Sequence, residues 1–239
     1  VADGMRQQLE IVTYDMEFDS AKAVIGAKWM VLEEKIDYGA FMGWGETSAA
    51  QQAFLTEQKT LNSTVSGYAM RPGQDYFFSA GWMFPPYQAA NVQWAVDNYG
   101  DQISTAALIC DERLGGLMTR VWIEPACIVN DIEIVYDKGY SPTLLDTAPT
   151  VSAIMAKDPD LVIGGCIAPE MAPLFWEQFY IQGFEGIIIS LDFMLDVLTE
   201  KVPIEWFEAR KSITHQPNYD HPDMPQKIRD HWDKWMARY

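Results

Sequence analysis

The sequence predicts an α/β fold of two lobes, each an open, doubly wound parallel sheet. Apolar runs such as the one at residues 161–163 lack polar alternation, which is typical of strands buried on both faces. Amphipathic helical segments separate the strands, and this alternation predicts right-handed crossovers with helices on both faces of each sheet. More strands are predicted than one small sheet needs, and 239 residues with 49% hydrophobic composition can form two modest cores.

The predicted N-terminal lobe covers residues 1–102. Its strands are LEIVTYD, YGAFMG and STVSG, and its first two helices are SAKAVIGAKWMVLEEK and TSAAQQAFLTEQKTL. Next comes the short extended piece YFFSAG, and the following Pro85 and Pro86 indicate a boundary between two halves. The helix PPYQAANVQWAVDNYG then leads into the second half of the chain.

The predicted C-terminal lobe covers residues 103–201. Its strands are STAALICD, IEIVYDK, LVIGG and GIIISL, and its helices are RLGGLMTRVWIEPACI, LDTAPTVSAIMAKD, PEMAPLFWEQFYIQG and DFMLDVLTEK. Residues 202–239 are predicted to form a crossing segment and a helix that returns towards the N-terminal lobe. The tract up to Pro225 is rich in Pro, His and Asp, and the following segment has an apolar stripe at helical spacing.

Charge and composition exclude several classes of partner. The net charge of −17 argues against nucleic acid and anionic membrane surfaces, which need clustered Lys and Arg. No apolar run is long enough to span a membrane, and the N-terminus lacks the pattern of a signal peptide, so we expect any export signal to have been removed. The three cysteines have no CxxC spacing and predict neither a zinc site nor a disulfide framework.

The sequence offers little for catalysis. GxSxG, GxGxxG and GxxxxGK[ST] are absent, which excludes the common hydrolase, dinucleotide and P-loop mechanisms. In a hydrolase or transferase on this scaffold, Glu46 and Asp111, at two strand ends, could act as an acid/base pair, but nothing else converges on them, and we interpret both as polar cleft or capping residues. Histidines and aspartates near the C-terminus lack metal-ligand spacing: His215, Asp220, His221, Asp223 and His231. We therefore predict no catalytic residue, no metal and no cofactor.

Five segments occur in an order and spacing that resembles a known family. They are LEIVTYDMEFDSAKAVIGAKWMVLEEKID, FMGWGETSAAQQAF, ICDERLGG, DPDLVIGG and GFEGIIIS. The pattern is similar to the periplasmic leucine/isoleucine/valine-binding proteins, which are type I solute-binding proteins of ABC importers. The resemblance implies a ligand cleft between the lobes. Family members have a further strand–helix unit before LEIVTYD and a segment after MARY, and we expect both to be missing here.

The resemblance implies ligand-binding residues in the N-terminal lobe. Thr47 and Ser48 match the small hydroxyl residue that holds a ligand carboxylate at the start of a helix, where N–H groups and the helix dipole also favour an anion. Thr47 could instead be a simple N-cap. After the next strand, Ser66 and Tyr68 match further contact positions, with Tyr68 larger than usual. Trp44 follows Gly43 at a strand end, where it could stack on an aromatic ligand.

In the C-terminal lobe, Asp192 matches the acidic residue that receives a ligand ammonium group, or it is an N-cap. Cys166 and Ile167 match ligand contacts at the cleft edge, after the glycine pair 164–165, which is also typical of a tight strand-to-helix turn. Cys110 and Cys166 end strands that are neighbours in the order 2-1-3-4, so they could form a disulfide or remain buried thiols.

The resemblance predicts a non-enzymatic solute-binding protein. It would capture an amino acid or a related small polar molecule by hinge closure and deliver it to the membrane permease of an ABC importer. The expected location is the periplasm, or the outer surface of a Gram-positive cell with a membrane anchor. Two alternatives stay open: a ligand-sensing domain of a receptor or regulator, and a binder of an aromatic carboxylate, amide or urea.

Overall fold

In the computed structural model the chain forms two parallel β-sheets with helices packed against them. The structure describes residues 10–17, 19–41, 45–64, 75–79, 84–141, 143–167, 171–190, 198–213 and 225–237. This α/β architecture with parallel pairing throughout confirms the predicted fold class.

The first sheet has the order β1-β2-β3. Its strands are β1 (Tyr38–Phe41), β2 (Leu61–Thr64) and β3 (Phe77–Ser79), and its helices are α1 (Ser20–Leu32) and α2 (Gly45–Glu57). Both helices pack on one face, where Ala27, Phe41 and Leu55 form a small core. Tyr38 and Phe78 lie on the other face and are exposed. Helix α1 begins after Asp19, whose carboxylate accepts a hydrogen bond from the Lys22 N–H at 2.8 Å.

The segment LEIVTYD was expected to be a strand, and this prediction is wrong for its described residues. Residues 10–16 have no regular secondary structure, and Ile11 is 82% exposed. Tyr14 instead packs on Trp29 of α1, with ring centroids 6.0 Å apart. A strand needs a neighbour for its backbone hydrogen bonds, and the free edge of β1 has no partner strand among the described residues.

The second sheet has the order β5-β4-β6-β7, which confirms the predicted 2-1-3-4 arrangement. Its strands are β4 (Thr105–Cys110), β5 (Glu133–Asp137), β6 (Leu161–Cys166) and β7 (Ile187–Ser190). The central strands are apolar and almost wholly buried because helices cover both faces of the sheet. Helices α3 (Phe84–Tyr99) and α4 (Leu114–Val129) cover one face, and α5 (Ala148–Met155) and α6 (Ala172–Ile181) cover the other.

The tract after residue 201 contributes to the second sheet. A short helix α7 (Ile204–Ala209) buries Phe207 in the core that contains Trp176, and Ile213 forms a parallel bridge with Ile189. Helix α8 (Gln226–Met236) follows, where a helix was predicted. Helix α3 also packs on this sheet, through Val92 and Ala95. The predicted lobe boundaries at 102/103 and 201/202 stay predictions. The packing of α3, α7 and Ile213 on the second sheet favours a C-terminal lobe that extends from residue 84 to residue 213.

Asp160 joins the amino ends of β4 and β6. One carboxylate oxygen, Oδ2, accepts four hydrogen bonds of 2.8–2.9 Å, from the backbone N–H and the hydroxyl of both Ser104 and Thr105. We expect Asp160→Ala to lower the free energy of unfolding by about 1–2 kcal/mol, because the bonds to an ionised acceptor are lost. Urea unfolding at pH 7 measures this, with Glu185→Ala, an exposed acidic residue near the same edge, as the control; equal losses in both variants would contradict it.

The same carboxylate predicts a pH dependence of stability. Burial alone would raise the pKa of Asp160, but the hydrogen bonds from Ser104 and Thr105 outweigh burial and lower this pKa. A carboxyl group with a lowered folded-state pKa stabilises the protein above its unfolded pKa, about 3.9, and this contribution is lost as the pH falls through the folded-state pKa. Asp160→Asn should therefore show a smaller loss of stability below pH 4 than the wild type.

Candidate functional site

A cluster of buried hydroxyl groups lies at the carboxyl edge of the first sheet. Thr47 and Ser48 are in the first turn of α2, and Thr64 is the last residue of β2. Ser48 Oγ and Thr64 Oγ1 are 2.9 Å apart, and Thr47 and Ser48 are each only 1% exposed. Helix α2 begins at Gly45, so Thr47 lies inside the helix and not at its N-cap. The structure thus brings the predicted residue Ser48 into contact with Thr64, for which the sequence predicted no role, and Thr47 is adjacent to Ser48 in α2.

This edge can hold an anion. A hydroxyl group rotates and both donates and accepts, so the Ser48–Thr64 pair can turn an O–H towards a ligand oxygen. The first N–H groups of a helix have no intrahelical acceptor, and the helix dipole places partial positive charge there. The hydroxyl groups of this cluster and the first N–H groups of α2 are therefore suited to bind a carboxylate together.

The interior around this cluster is polar, which sets β2 apart from the strands of the second sheet. Asn62, Ser63 and Thr64 are all buried. The Asn62 Nδ2 group donates to the carbonyl oxygens of Thr60 and Tyr76 at 2.8 and 3.0 Å, and Ser63 Oγ is hydrogen-bonded to the Tyr38 hydroxyl. Buried polar side chains are costly unless they are bonded. Three consecutive polar residues, Asn62, Ser63 and Thr64, in a four-residue strand were the sequence signal that could have identified Thr64.

The carboxyl edge of the second sheet is held by packing and by ion pairs, one of which involves Asp111. Asp111 is 2% exposed, and its Oδ2 is 2.6 Å from Arg113 Nη2, while its Oδ1 accepts the Arg113 N–H at 3.0 Å. Asp111 therefore has a structural role at this turn. The side chain of Glu46, the other residue of the candidate acid/base pair, lies outside the described residues.

The glycine pair 164–165 makes room for protein side chains. A Cβ on Gly164 would lie 2.8 Å from Ile167 Cδ1, and one on Gly165 would lie 2.7 Å from Ile123 Cδ1 and 2.9 Å from Cys110 Sγ. Ile167 is 6% exposed and belongs to the apolar core, so its burial favours packing, and ligand contact stays a prediction. Both glycines are therefore explained without a ligand.

The cysteine predictions are resolved in part. Cys110 pairs in register with Cys166 across β4 and β6, as predicted. Cys110 and Cys127 are buried thiols, so the thiol alternative holds for Cys110. Burial, with a smaller contribution from Glu124, raises the pKa of Cys127 to about 11, which keeps this group protonated and unreactive. The side chain of Cys166 lies outside the described residues, and its proposed ligand contact stays a prediction.

The other predicted site residues lie outside the described residues: Trp44, Ser66, Tyr68 and Asp192. Their roles stay predictions. Within the described part of the chain, no helix is long and apolar enough to cross a membrane, and no three His, Cys, Asp or Glu side chains form a group that could hold a metal ion.

A second candidate for a polar ligand contact is Gln88 on α3, which was not predicted from the sequence. Helix α3 leads directly into β4, so its first turns lie at the carboxyl edge of the second sheet. Gln88 is fully buried on the stripe of Val92 and Ala95, and its amide oxygen and nitrogen have no hydrogen-bond partner in the structure described. An unpaired buried amide costs about 1–3 kcal/mol, so Gln88 is a candidate for a polar contact supplied from outside. Because Gln88 lies on the side of α3 that faces the core, the sequence alone did not indicate a role for it.

The fold and the hydroxyl cluster define a class of α/β proteins that bind small molecules at the carboxyl edges of parallel sheets. A family model described as periplasmic binding protein matches residues 2–200. The chain therefore belongs to the type I periplasmic binding protein family. A comparison with curated protein sequences gave no match.

Solved structures agree with this fold. A fatty acid ABC transporter substrate-binding protein from Thermomonospora curvata superposes with a TM-score of 0.76 at 16% identity, over 96% of this chain and 58% of its own. An extracellular ligand-binding receptor from Rhodopseudomonas palustris gives 0.70 at 16% identity, over 76% and 50%. A solute-binding protein from R. palustris BisB5, in complex with 3,4-dihydroxybenzoic acid, gives 0.67 at 16%, over 76% and 50%. The chain thus spans between half and three fifths of these proteins.

Proposed function

We propose that the protein is the solute-binding component of an ABC importer and that it captures a small carboxylic acid. The observation that carries the proposal is the buried Ser48–Thr64 hydroxyl pair, 2.9 Å apart, beside Thr47 at the start of α2. The protein would bind without catalysis and deliver its ligand to a membrane permease. Its proposed location is the periplasm or the outer cell surface.

A carboxylate fits this edge better than a cation does. Thr47, Ser48 and Thr64 carry hydroxyl groups, which can donate hydrogen bonds to an anion but cannot neutralise a positive charge; the side chain of Glu46, in the same turn of α2, lies outside the described residues. Hydrogen bonds to a charged group contribute about 1.5–3 kcal/mol each. One hydroxyl of the Ser48–Thr64 pair donates to the other, so the pair offers one O–H to a ligand, and this donor and the N–H groups at the start of α2 together supply part of the binding energy of a small acid.

The solved structures support a carboxylate ligand. One R. palustris protein is in complex with 3,4-dihydroxybenzoic acid and another with 4-hydroxybenzoate, and the protein from T. curvata is a fatty acid ABC transporter substrate-binding protein. These molecules share a carboxyl group and have no amine. These ligands favour an aromatic or aliphatic carboxylic acid over an amino acid as the ligand of this chain. The carboxylate of an amino acid would bind to the same hydroxyl groups.

Calorimetric titration of the protein with 4-hydroxybenzoate, octanoate, leucine and benzamide tests the ligand class. We expect a carboxylic acid without an amine to bind, because the described site can hold its carboxylate. Benzamide serves as the uncharged control and should bind at least about 10-fold more weakly than the acid, because it lacks the charge. Equal binding of acid and amide would contradict a carboxylate site.

Asp192→Asn separates the two acid classes. If an ammonium group is bound by Asp192, as the resemblance implies, leucine binding should be lost in this variant while binding of 4-hydroxybenzoate is retained. If no acid of either class binds to the wild type, the proposed function fails for this chain.

A further inference from the structure

Helix α4 has an exposed apolar face that the described part of the chain leaves uncovered. Five large side chains on this helix are 44% to 75% exposed: Leu117, Val121, Trp122, Ile128 and Val129. The opposite side of the helix carries Thr119, Ile123 and Cys127, which are fully buried against the second sheet. The helix is therefore apolar on both sides, whereas a surface helix normally places polar residues outwards.

We propose that this face, defined by the five side chains above and called the α4 face, is the interface of a symmetric dimer of the chain. The spacing of one row of residues on this side of α4, three of them from the face together with Glu124, supports self-association. Leu117, Val121, Glu124 and Ile128 follow one another at intervals of 4, 3 and 4 residues, the spacing of helices that pack along a seam. This order of intervals reads the same in both directions along the helix.

A two-fold axis between Trp122 and Ile123 therefore matches this row of four positions with itself. In an antiparallel pair of α4 helices, Leu117 would lie opposite the partner subunit's Ile128, and Val121 opposite the partner subunit's Glu124. Such an isologous contact uses one patch on both chains. The aliphatic stem of Glu124 can pack in the seam while its carboxylate stays at the rim.

The size of the α4 face also fits a dimer contact. An aromatic side chain has a surface of roughly 150–250 Å², and the four aliphatic side chains of this face are smaller, so five of them exposed by about half to three quarters offer on the order of 400 Å². This lies within the roughly 300–600 Å² of the largest patch on a typical monomer, which is often functional. It is about half of the roughly 800 Å² that each partner contributes to a standard interface, and neighbouring rim residues would supply the rest.

Charge favours this face over other surfaces for contact between two copies. The chain carries a net charge of −17, so most approaches of one copy to another are repulsive. Helix α4 has only two charged residues, Arg120 and Glu124, whose charges are opposite and 3.7 Å apart. Arg120 also pairs with Asp137 of β5. The face is therefore close to neutral, and the absence of a basic cluster on α4 disfavours an anionic membrane as its occupant.

Light scattering coupled to size exclusion, over a micromolar range of concentrations, tests the proposal. We expect a species of twice the 27.2 kDa chain mass that dissociates on dilution. Val121→Glu would place a carboxylate opposite the partner subunit's Glu124 in both halves of the interface. The dissociation constant of the dimer should then rise at least about 30-fold, with an unchanged circular dichroism spectrum because residue 121 faces solvent in the single chain.

Ile181→Glu is the matched control. Ile181 is 64% exposed at the end of α6, on the other face of the second sheet, so this variant should remain dimeric. A wild-type chain that is monomeric throughout the range overturns the proposal, and so does a dimer that persists in Val121→Glu. Binding of monomers to phosphatidylcholine vesicles that is lost in Val121→Glu would also overturn it, since the face would then be a membrane contact.

Discussion

Replacing Ser48 with alanine is expected to weaken binding of the carboxylate ligand by about 10- to 100-fold, because one hydrogen bond to a charged group is lost. Ser48 is the described residue in which three features coincide: a hydroxyl group, a position in the first turn of α2, and contact with a second hydroxyl at 2.9 Å. Isothermal titration with the tightest acid from the ligand panel measures the change. The circular dichroism spectrum should be unchanged, since alanine is compatible with a helix.

Thr64→Val completes a double-mutant cycle with Ser48→Ala. Valine keeps the shape of threonine but removes its hydroxyl, so it tests the hydrogen bond more than the packing. If both hydroxyls act as one donor unit, the loss in the double variant should be smaller than the sum of the single losses. Ser152→Ala, which removes an exposed hydroxyl on α5, is the control. Unchanged affinity in Ser48→Ala would contradict the proposed carboxylate site.

Gly116→Ala is expected to lower the free energy of unfolding by about 3 kcal/mol. Gly116 lies in the first turn of α4, where a Cβ would be 1.9 Å from the carbonyl oxygen of Asp111 and 3.0 Å from its backbone nitrogen. Both contacts are to backbone, which cannot rotate away as a side chain can. The N-terminus of α4 would have to move from the end of β4, and the core under the helix would lose contacts.

Gly100→Ala is the matched control for this prediction. A Cβ on Gly100 would meet only Val96 Cγ1 at 3.4 Å, an ordinary contact, so the change should be within about 0.5 kcal/mol. Urea unfolding followed by circular dichroism measures both variants. Similar stability of the two variants would show that α4 can shift without cost, and would contradict the role assigned to Gly116.

The second sheet could be predicted almost completely from the sequence. Its strands are short apolar runs between amphipathic helices, and a strand buried on both faces leaves this pattern wherever it occurs. All four of its strands were predicted within a few residues of their observed bounds. The contribution of residues 202–213 could not be predicted, because one bridge at Ile213 and one turn of helix leave no periodicity in a Pro-rich tract.

The first lobe was predicted less well, for a physical reason. LEIVTYD has the composition of a strand, but a strand forms only beside another strand with which it shares hydrogen bonds. Tyr14 finds its partner in Trp29 instead, on a helix. Composition therefore indicates the capacity of a segment to pair, and the arrangement of its neighbours decides whether it does.

The candidate site was predicted in part. Thr47 and Ser48 could be identified because a hydroxyl residue soon after a strand end lies at a helix start in any parallel α/β unit. Thr64 could not, because its role depends on the distance between its hydroxyl and that of Ser48, 16 residues away in the chain. Gln88 was hidden for a similar reason, since only burial without a hydrogen-bond partner distinguishes it from an ordinary helix glutamine.

The sequence by itself determined the α/β class, the strand order of the second sheet through the family resemblance, and the position of hydroxyl groups at the start of α2. These properties follow from local periodicity and from the order of elements, which a single chain carries in its residues. Only the tertiary structure decided that the described residues 10–16 form no strand, that Ser48 and Thr64 meet, and that the α4 face is exposed in the described part of the chain. Each of these features depends on which residues distant in the chain come together. The local sequence pattern does not give the free energy of such contacts.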